Sequence, residues 1–244
     1  MSRAPRFFIS PDQVSGQTIT ITGEDVRHIG AVLRMKPGDG LLLCDGAGAE
    51  YTVRITQIGK AEIKAEIVGQ TARKITGPRI ILGQGLPKSD KMDWIVQKAT
   101  ELGVAEIIPL ITERTIVKVK DEEKRVSRWQ KISREAAMQS DRGDIPKIAP
   151  LRTFREFVMT LDPGPRTLCL LPWEEGTDPI RNVLRQHHGI QNVIVLIGPE
   201  GGFSQTEADA AREKGFHPVS LGRNILRTET AAVAVLSMIG YELF

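Results

Sequence analysis

Long apolar runs are missing from this 244-residue chain: no window approaches the ~18 uninterrupted apolar residues that a membrane-spanning helix needs. The opening stretch MSRAPRFFISPD has no apolar segment of the kind a secretion leader carries, so a cytoplasmic protein with no membrane partner is expected. Cysteine is nearly absent. Cys44 and Cys169 stand far apart inside the apolar runs LLLCDG and TLCLLP, in no Cys-x-x-Cys pair and no Cys/His cluster. That argues against a zinc site, and no metal is expected; buried thiols in a reducing compartment fit better. Histidine is also sparse. His28, His187, His188 and His217 assemble no Ser-His-Asp set and no metal set. Charge of one sign is lacking too: 33 Lys and Arg against 30 Asp and Glu leave a net charge of +3, which permits a nucleic acid partner without requiring one.

What is present divides into two rhythms. The first seventy or so residues alternate with period two. In YTVRITQI, Tyr51, Val53 and Ile55 oppose Thr52, Arg54 and Thr56; in AEIKAEIV, Ala61, Ile63, Ala65 and Ile67 oppose Glu62, Lys64 and Glu66. Such alternation marks antiparallel strands with one wet face. Earlier, between QTITIT and GLLLCDG, Val26, Ile29, Val32 and Leu33 have helical spacing before the turn KPGDG. A small barrel with one short helix is expected.

The polar, turn-rich GQTARKITGPR (Gly69 to Arg79) then separates residues 1–72 from 73–244. Beyond it, short apolar strands alternate with helices, as in RIILGQG followed by SDKMDWIVQKATELG, and NVIVLIG followed by SQTEADAAREKG. This is the pattern of an α/β fold with a parallel sheet and helices on both faces. Ligands in such sheets bind beyond the carboxyl ends of the strands. Four strand ends carry informative loops: GQGLPKSD, LLPWEEG, GPEGGFS and LGRNILRTET.

The first of these offers Gly83-x-Gly85, a weak hint of a dinucleotide turn whose third glycine is missing, with Lys88 and Lys91 suited to an anion. GPEGGFSQTE lacks the Gly-Lys-Ser/Thr of a nucleotide triphosphate loop; Ser204 and Glu207 form a capping box. Gly198, Gly201 and Gly202 let backbone approach a ligand, and Glu200 is a carboxylate among them. In LGRNILRTET, Arg223 and Arg227 flank an apolar stretch, and Thr228 or Thr230 can cap the helix or bond a ligand.

Taken together, LIGPEGG and LGRNILRTETAA resemble the SPOUT class of methyltransferases, and within it the RsmE family of small-subunit rRNA uridine-N3 methyltransferases. RFFI, HIGAVLRMKPGD, LPKSDKMDWIVQKATELGV, IIPLITERT and EAAMQSDRGDIPKI extend the resemblance along the whole chain. It implies a PUA-like RNA-binding barrel over 1–72 and a SPOUT domain over 73–244, whose C-terminal stretch is threaded into a trefoil knot, a feature no propensity predicts. It also implies S-adenosylmethionine as cofactor, a homodimer, and a target in 16S rRNA of the 30S subunit, the uridine at position 1498.

On that resemblance, Gly198, Pro199, Glu200, Gly201 and Gly202 wrap the cofactor, with Leu221, Gly222, Asn224, Ile225, Leu226 and Thr230 near the adenine. Leu171, Pro172 and Leu196 supply walls. Arg142 and Arg227 are the expected catalytic cations and Glu200 a candidate general base, while Arg3, Arg6, Arg27, Arg34, Lys88 and Lys91 would track phosphates. Two positions depart from the family pattern: Met138 stands where Glu is common and Asp141 where Gly is common. A non-catalytic RNA-binding assembly factor and a Rossmann-type oxidoreductase are the competing readings.

Overall fold

The computed structural model describes residues 4–46, 48–72, 76–117 and 120–244. It divides into two compact units. One gathers the described residues up to Ala72 together with Ala137–Ile145, and the other holds Thr76–Ala136 and Pro146–Phe244. A boundary at 72/73 therefore leaves out a segment of nine residues, 137–145, that clusters with the first unit.

The first unit is built on a six-stranded sheet in the order β1-β4-β5-β6-β3-β2. Its strands are β1 (Arg6–Phe8), β2 (Val14–Ser15), β3 (Thr18–Thr22), β4 (Gly40–Cys44), β5 (Ala49–Ile58) and β6 (Glu62–Ala72). The alternation holds as expected: Val53, Ile55, Ile63 and Ala65 are buried, while Thr52, Arg54, Glu62 and Lys64 face water. They join Phe7, Ile19, Ile21, Leu41 and Leu43 in one core.

The short helix differs from expectation. Helix α1 (Glu24–Arg27) passes into a π turn over His28–Val32, closed by the Leu33 N–H donating to the His28 carbonyl at 2.9 Å. Val26 and Ile29 are buried, yet Val32 is 65% exposed and Leu33 39% exposed. An i→i+5 turn is wider than an α turn, so residues three and four beyond Ile29 rotate off the inner face.

In the 137–145 segment, Met138 packs against the first unit's core. The position that is commonly Glu is thus a packing site here. Asp141 has φ 59°, the left-handed region that a glycine adopts without strain. Glycine and aspartate answer the same backbone demand there.

The second unit carries a parallel sheet in the order β10-β8-β7-β13-β11-β14-β12, with β9 beside β8. The strands are β7 (Arg79–Gly85), β8 (Glu106–Ile111), β9 (Lys147–Ile148), β10 (Arg152–Thr153), β11 (Thr167–Pro172), β12 (Asp178–Pro179), β13 (Asn192–Ile197) and β14 (His217–Ser220). The two-residue strands β9, β10 and β12 give no periodic signal in the sequence. Helices are α2 (Lys91–Glu101), α3 (Glu122–Gln139), α4 (Phe154–Thr160), α5 (Ile180–Gln186), α6 (Gln205–Glu213) and α7 (Thr228–Leu243). The last three residues of α3 cluster with the first unit.

Both faces of this sheet are covered. Val193, Val195 and Ile197 pack with Ile95 and Val96 of α2, Leu184 of α5 and Leu236 of α7. Ile194 and Leu196 turn the other way, toward Phe157 of α4 and Ala208 of α6. Period-two alternation along one apolar strand thus feeds two cores. Among the described residues, no helix is long and apolar enough to cross a membrane.

Candidate functional site

At the carboxyl ends of β7, β11, β13 and β14 lies a cleft of about 440 Å³. That volume falls in the ~300–1,000 Å³ range of small-molecule sites. Two loops supply most of it: 198–202 after β13, and 221–227 between β14 and α7.

Glycine is required in the first loop because backbone meets backbone. A Cβ on Gly198 would lie 2.9 Å from the Gly202 carbonyl carbon and Cα. On Gly85, at the end of β7, it would lie 2.6 Å from Pro199 Cδ and 2.7 Å from Pro199 N. The Gly83-x-Gly85 pair is therefore not a dinucleotide turn. Both residues sit inside β7, and a Cβ on Gly83 would lie 2.6 Å from Leu196 Cδ2.

The loop is tied down at three points. Thr228 Oγ1, at the start of α7, donates to the Gly198 carbonyl at 2.6 Å. Arg114 Nη1 donates to the Gly201 carbonyl at 2.6 Å. The Glu200 carboxylate accepts from the Lys88 amide at 3.1 Å and from Lys91 Nζ at 3.0 Å. Just beyond, Ser204 Oγ accepts from the Glu207 amide, and Glu207 Oε2 accepts from the Ser204 amide, the expected capping box. The other oxygen of Glu207 accepts from the Glu113 amide at 2.9 Å, tying α6 to the end of β8.

Burial opposes ionisation of Glu200. The Lys91 ammonium and the amides of Glu200 and Lys88 outweigh it and hold the carboxyl below its ordinary value. The carboxylate that could take the uridine N3 proton is thus ionised, with Lys88 and Lys91 already bonded to it. Lys91 also reaches Glu229 Oε2 at 3.3 Å. Its hydrogen bond to Glu200, then its bond to Glu229, raise its pKa. A lysine held by two carboxylates is not a free phosphate ligand, so the RNA-tracking role expected of Lys91 is replaced by one within the cleft wall.

The second loop is lightly held. Ser220 Oγ donates to the Gly222 carbonyl at 3.1 Å, and the Gly222 amide lies 3.2 Å from the same oxygen. Gly222 has φ 135°, which only glycine adopts readily. Arg223, Asn224 and Arg227 are exposed, and Ile225 is 83% exposed. Among the described residues, the Arg227 guanidinium has no hydrogen-bond or ion-pair partner.

Of the residues expected to hold a cofactor, the cleft gathers Pro172, Gly198, Pro199, Glu200, Gly201, Gly202, Leu221, Gly222, Asn224, Ile225 and Leu226. Leu171 and Leu196 do not line it. Both are fully buried in the core under α4 and α6, because alternation turns them from the face that Ile197 presents. Thr230 is exposed on α7 and outside the lining, where Thr228 stands instead. Sequence reasoning also missed Trp173 as a lining residue, although LLPWEEG was one of the marked strand ends. Its ring lies 5.1 Å from the Arg212 guanidinium carbon.

The remaining candidates, Lys88 apart, belong to the first unit. Arg142 pairs with Asp144 at 2.5 Å and gives its carbonyl to Arg6 Nη1 at 3.1 Å. The Arg6 side chain is 7% exposed and donates also to Glu50 at 2.7 Å, so it is not placed to track phosphates as expected. Arg27 and Arg34 are exposed, as is the Lys88 side chain of the second unit; Arg3 lies outside the described residues. Burial pushes the thiols of Cys44 and Cys169 up to about 11, so neither is a nucleophile. Among the described residues, no group of three or more His, Cys, Asp or Glu is placed to hold a metal.

Residues 76–240 match the RNA methyltransferase domain, and residues 21–68 the RNA methyltransferase PUA domain. Ribosomal RNA small subunit methyltransferase E of Bacillus subtilis (strain 168) is 32% identical over 233 residues, covering 92% of this chain and 90% of the relative. The protein of that name from Synechocystis is 34% identical over 239 residues, covering 97% and 77%. Among solved structures, the Neisseria gonorrhoeae methyltransferase E bound to S-adenosyl methionine superposes with a TM-score of 0.86 at 33% identity, covering 98% of each chain. With an α/β unit that carries a glycine-walled cleft and a β-rich unit that matches a PUA domain, this chain belongs to the RNA methyltransferase family of the ribosomal RNA small subunit methyltransferases E.

Proposed function

We propose that this chain transfers the methyl group of S-adenosylmethionine to N3 of a uridine in 16S rRNA of the 30S subunit, at position 1498. The observation that carries the proposal is the cleft at the strand ends, whose walls are backbone where the resemblance requires a wrapped cofactor. The residues present fit such a group: Gly198 to Gly202 on one side, Leu221 to Leu226 on the other. When bound, it supplies an electrophilic methyl on a sulfonium.

This chain's own task is to make N3 a nucleophile. Glu200, ionised at the cleft wall, is the candidate acceptor of the N3 proton; loss of that proton leaves charge on O2 and O4, and a cation beside those oxygens stabilises it in a dry site. Arg227 fits that role, lining the cleft with its guanidinium uncommitted among the described residues. Arg142 remains in the proposal on resemblance, its guanidinium already paired with Asp144. The base must be unpaired or flipped to reach the cleft. Exposed Arg27, Arg34 and Lys88 then contact phosphates.

The same reading makes the protein cytoplasmic and a homodimer. Exposed Trp94 on α2, with Tyr241 (89% exposed) on α7 and Phe244 (58%) just past it, supports a partner-covered face, since α2 and α7 pack together. The C-terminal stretch is read as threaded into a knot, supported by β14 pairing with β11 rather than with β13. Calorimetric titration separates this reading from an oxidoreductase: S-adenosylhomocysteine binds and NADH does not. Binding of NADH alone contradicts it.

A further inference from the structure

Gln84 is a polar residue in an apolar place. It is fully buried in the penultimate position of β7, between Pro109 of β8 and Ile197 of β13. A buried amide is costly unless its hydrogen bonds are made, so what Gln84 bonds to explains its presence. Its Nε2 donates to the Gly85 carbonyl at 2.9 Å and to Thr228 Oγ1 at 3.0 Å. Among the described residues, its Oε1 has no hydrogen-bond partner.

The chain of donors runs one way. The Gly198 carbonyl can only accept, so Thr228 Oγ1 must donate to it at 2.6 Å. That spends the single hydroxyl proton and leaves Thr228 as acceptor for Gln84. The Gly85 carbonyl also can only accept, which fixes Nε2 as the end of the amide that faces Gly85 and Thr228. Thr228 is 5% exposed and is the first residue of α7, whose N-terminus has no side-chain cap. Its hydroxyl serves the glycine loop rather than the helix. Three elements distant in sequence (β7, the loop after β13 and the start of α7) are thereby joined behind the cleft.

We propose that Gln84 is a positioning residue for the cofactor cleft, acting through Thr228 to fix the Gly198 carbonyl and hence the wall that Gly198, Pro199 and Thr228 form. Gln84 itself does not line the cleft. This rests on the reading of the cleft as the S-adenosylmethionine site. The unpartnered Oε1 follows from the same design, because orienting both amide hydrogens toward Gly85 and Thr228 leaves the oxygen without a donor.

The test is calorimetric titration of the full chain with S-adenosylhomocysteine, each variant also being checked by thermal melting. Thr228→Ser keeps the hydroxyl and binds within about twofold of the parent, while Thr228→Val keeps the shape without the hydroxyl and binds about tenfold more weakly, a difference of ~1.4 kcal/mol. Gln84→Met, similar in size but without donors, weakens binding to a comparable degree. The double variant Gln84→Met, Thr228→Val is no weaker than the worse single one, because residues acting in series are not additive. Leu168→Ala in the core lowers the melting temperature without the affinity loss, which separates positioning from general destabilisation. Serine as weak as valine, or additive losses in the double variant, overturns the relay. Absence of binding by the parent protein overturns the cofactor reading itself.

Discussion

The two loops that face each other across the cleft are held in opposite ways. Loop 198–202 gives the Gly198 carbonyl to Thr228, the Glu200 carboxylate to Lys88 and Lys91, and the Gly201 carbonyl to Arg114. Loop 221–227 is held by the local Ser220–Gly222 contacts, by the Arg227 carbonyl accepting from the Ala231 amide and by Leu221 against the core, and it leaves the side chains of Arg223, Ile225 and Arg227 in solvent. One wall is prepared before any ligand arrives. The other holds groups in reserve, and a cation with no protein partner is one that a ligand or an incoming base can engage. Binding to the first wall avoids the cost of ordering it; engaging the second incurs some of that cost on complex formation.

The contrast is sharpest in catalysis. Arg227→Ala is expected to lower kcat by about 10²-fold or more, the effect of removing one oxyanion-stabilising group, with little change in S-adenosylhomocysteine affinity. Single-turnover rates beside a binding titration check this, and an affinity loss without a rate loss would move Arg227 into the braced wall. Arg142→Ala, assayed in parallel, retains cofactor binding and loses rate if that arginine too acts on the base.

The same division between committed and free residues runs through the first unit. Arg6→Ala strips a buried partner from Glu50 and costs about 3 kcal/mol of stability. Arg27→Ala instead leaves the melting temperature unchanged and reduces the salt dependence of RNA binding by about one unit of slope. Denaturant unfolding and a salt series distinguish the two. Gly198→Ala forces the braced loop apart and costs about 2 kcal/mol, whereas Asn224→Ala in the open loop stays within ~0.5 kcal/mol.

The smallest effect is in pH. Because Glu200 is held below 4.5 in the folded protein, its stabilising contribution is full above that value and is lost as pH falls through the depressed one. Wild type and Glu200→Gln therefore differ in melting temperature at neutral pH and converge in acid. A gap that widens in acid would mean that Glu200 is not held ionised by Lys91.

Much of the fold is legible in the sequence. Alternation placed Val53, Ile55, Ile63 and Ala65 inward, because burial of one face is a local, periodic property. The capping box of Ser204 and Glu207 is equally local. The failures are long-range. Nothing near Arg6 announces that its guanidinium meets Glu50 and the carbonyl of Arg142. The choice of Thr228 over Thr230 depends on the position of Gly198, and the glycines of GQG answer to Leu196 and Pro199, more than a hundred residues away. Leu171 and Leu196 were misplaced for a simpler reason. An apolar strand covered on both faces does not reveal which residue faces which side.

The most direct test of the central claim supplies methyl-labelled S-adenosylmethionine to 30S subunits lacking native methylation, then maps the label in the rRNA by mass. The account predicts label at a single 16S uridine, recovered as N3-methyluridine. Label on another base or another atom, or none despite tight binding of S-adenosylhomocysteine, would contradict it.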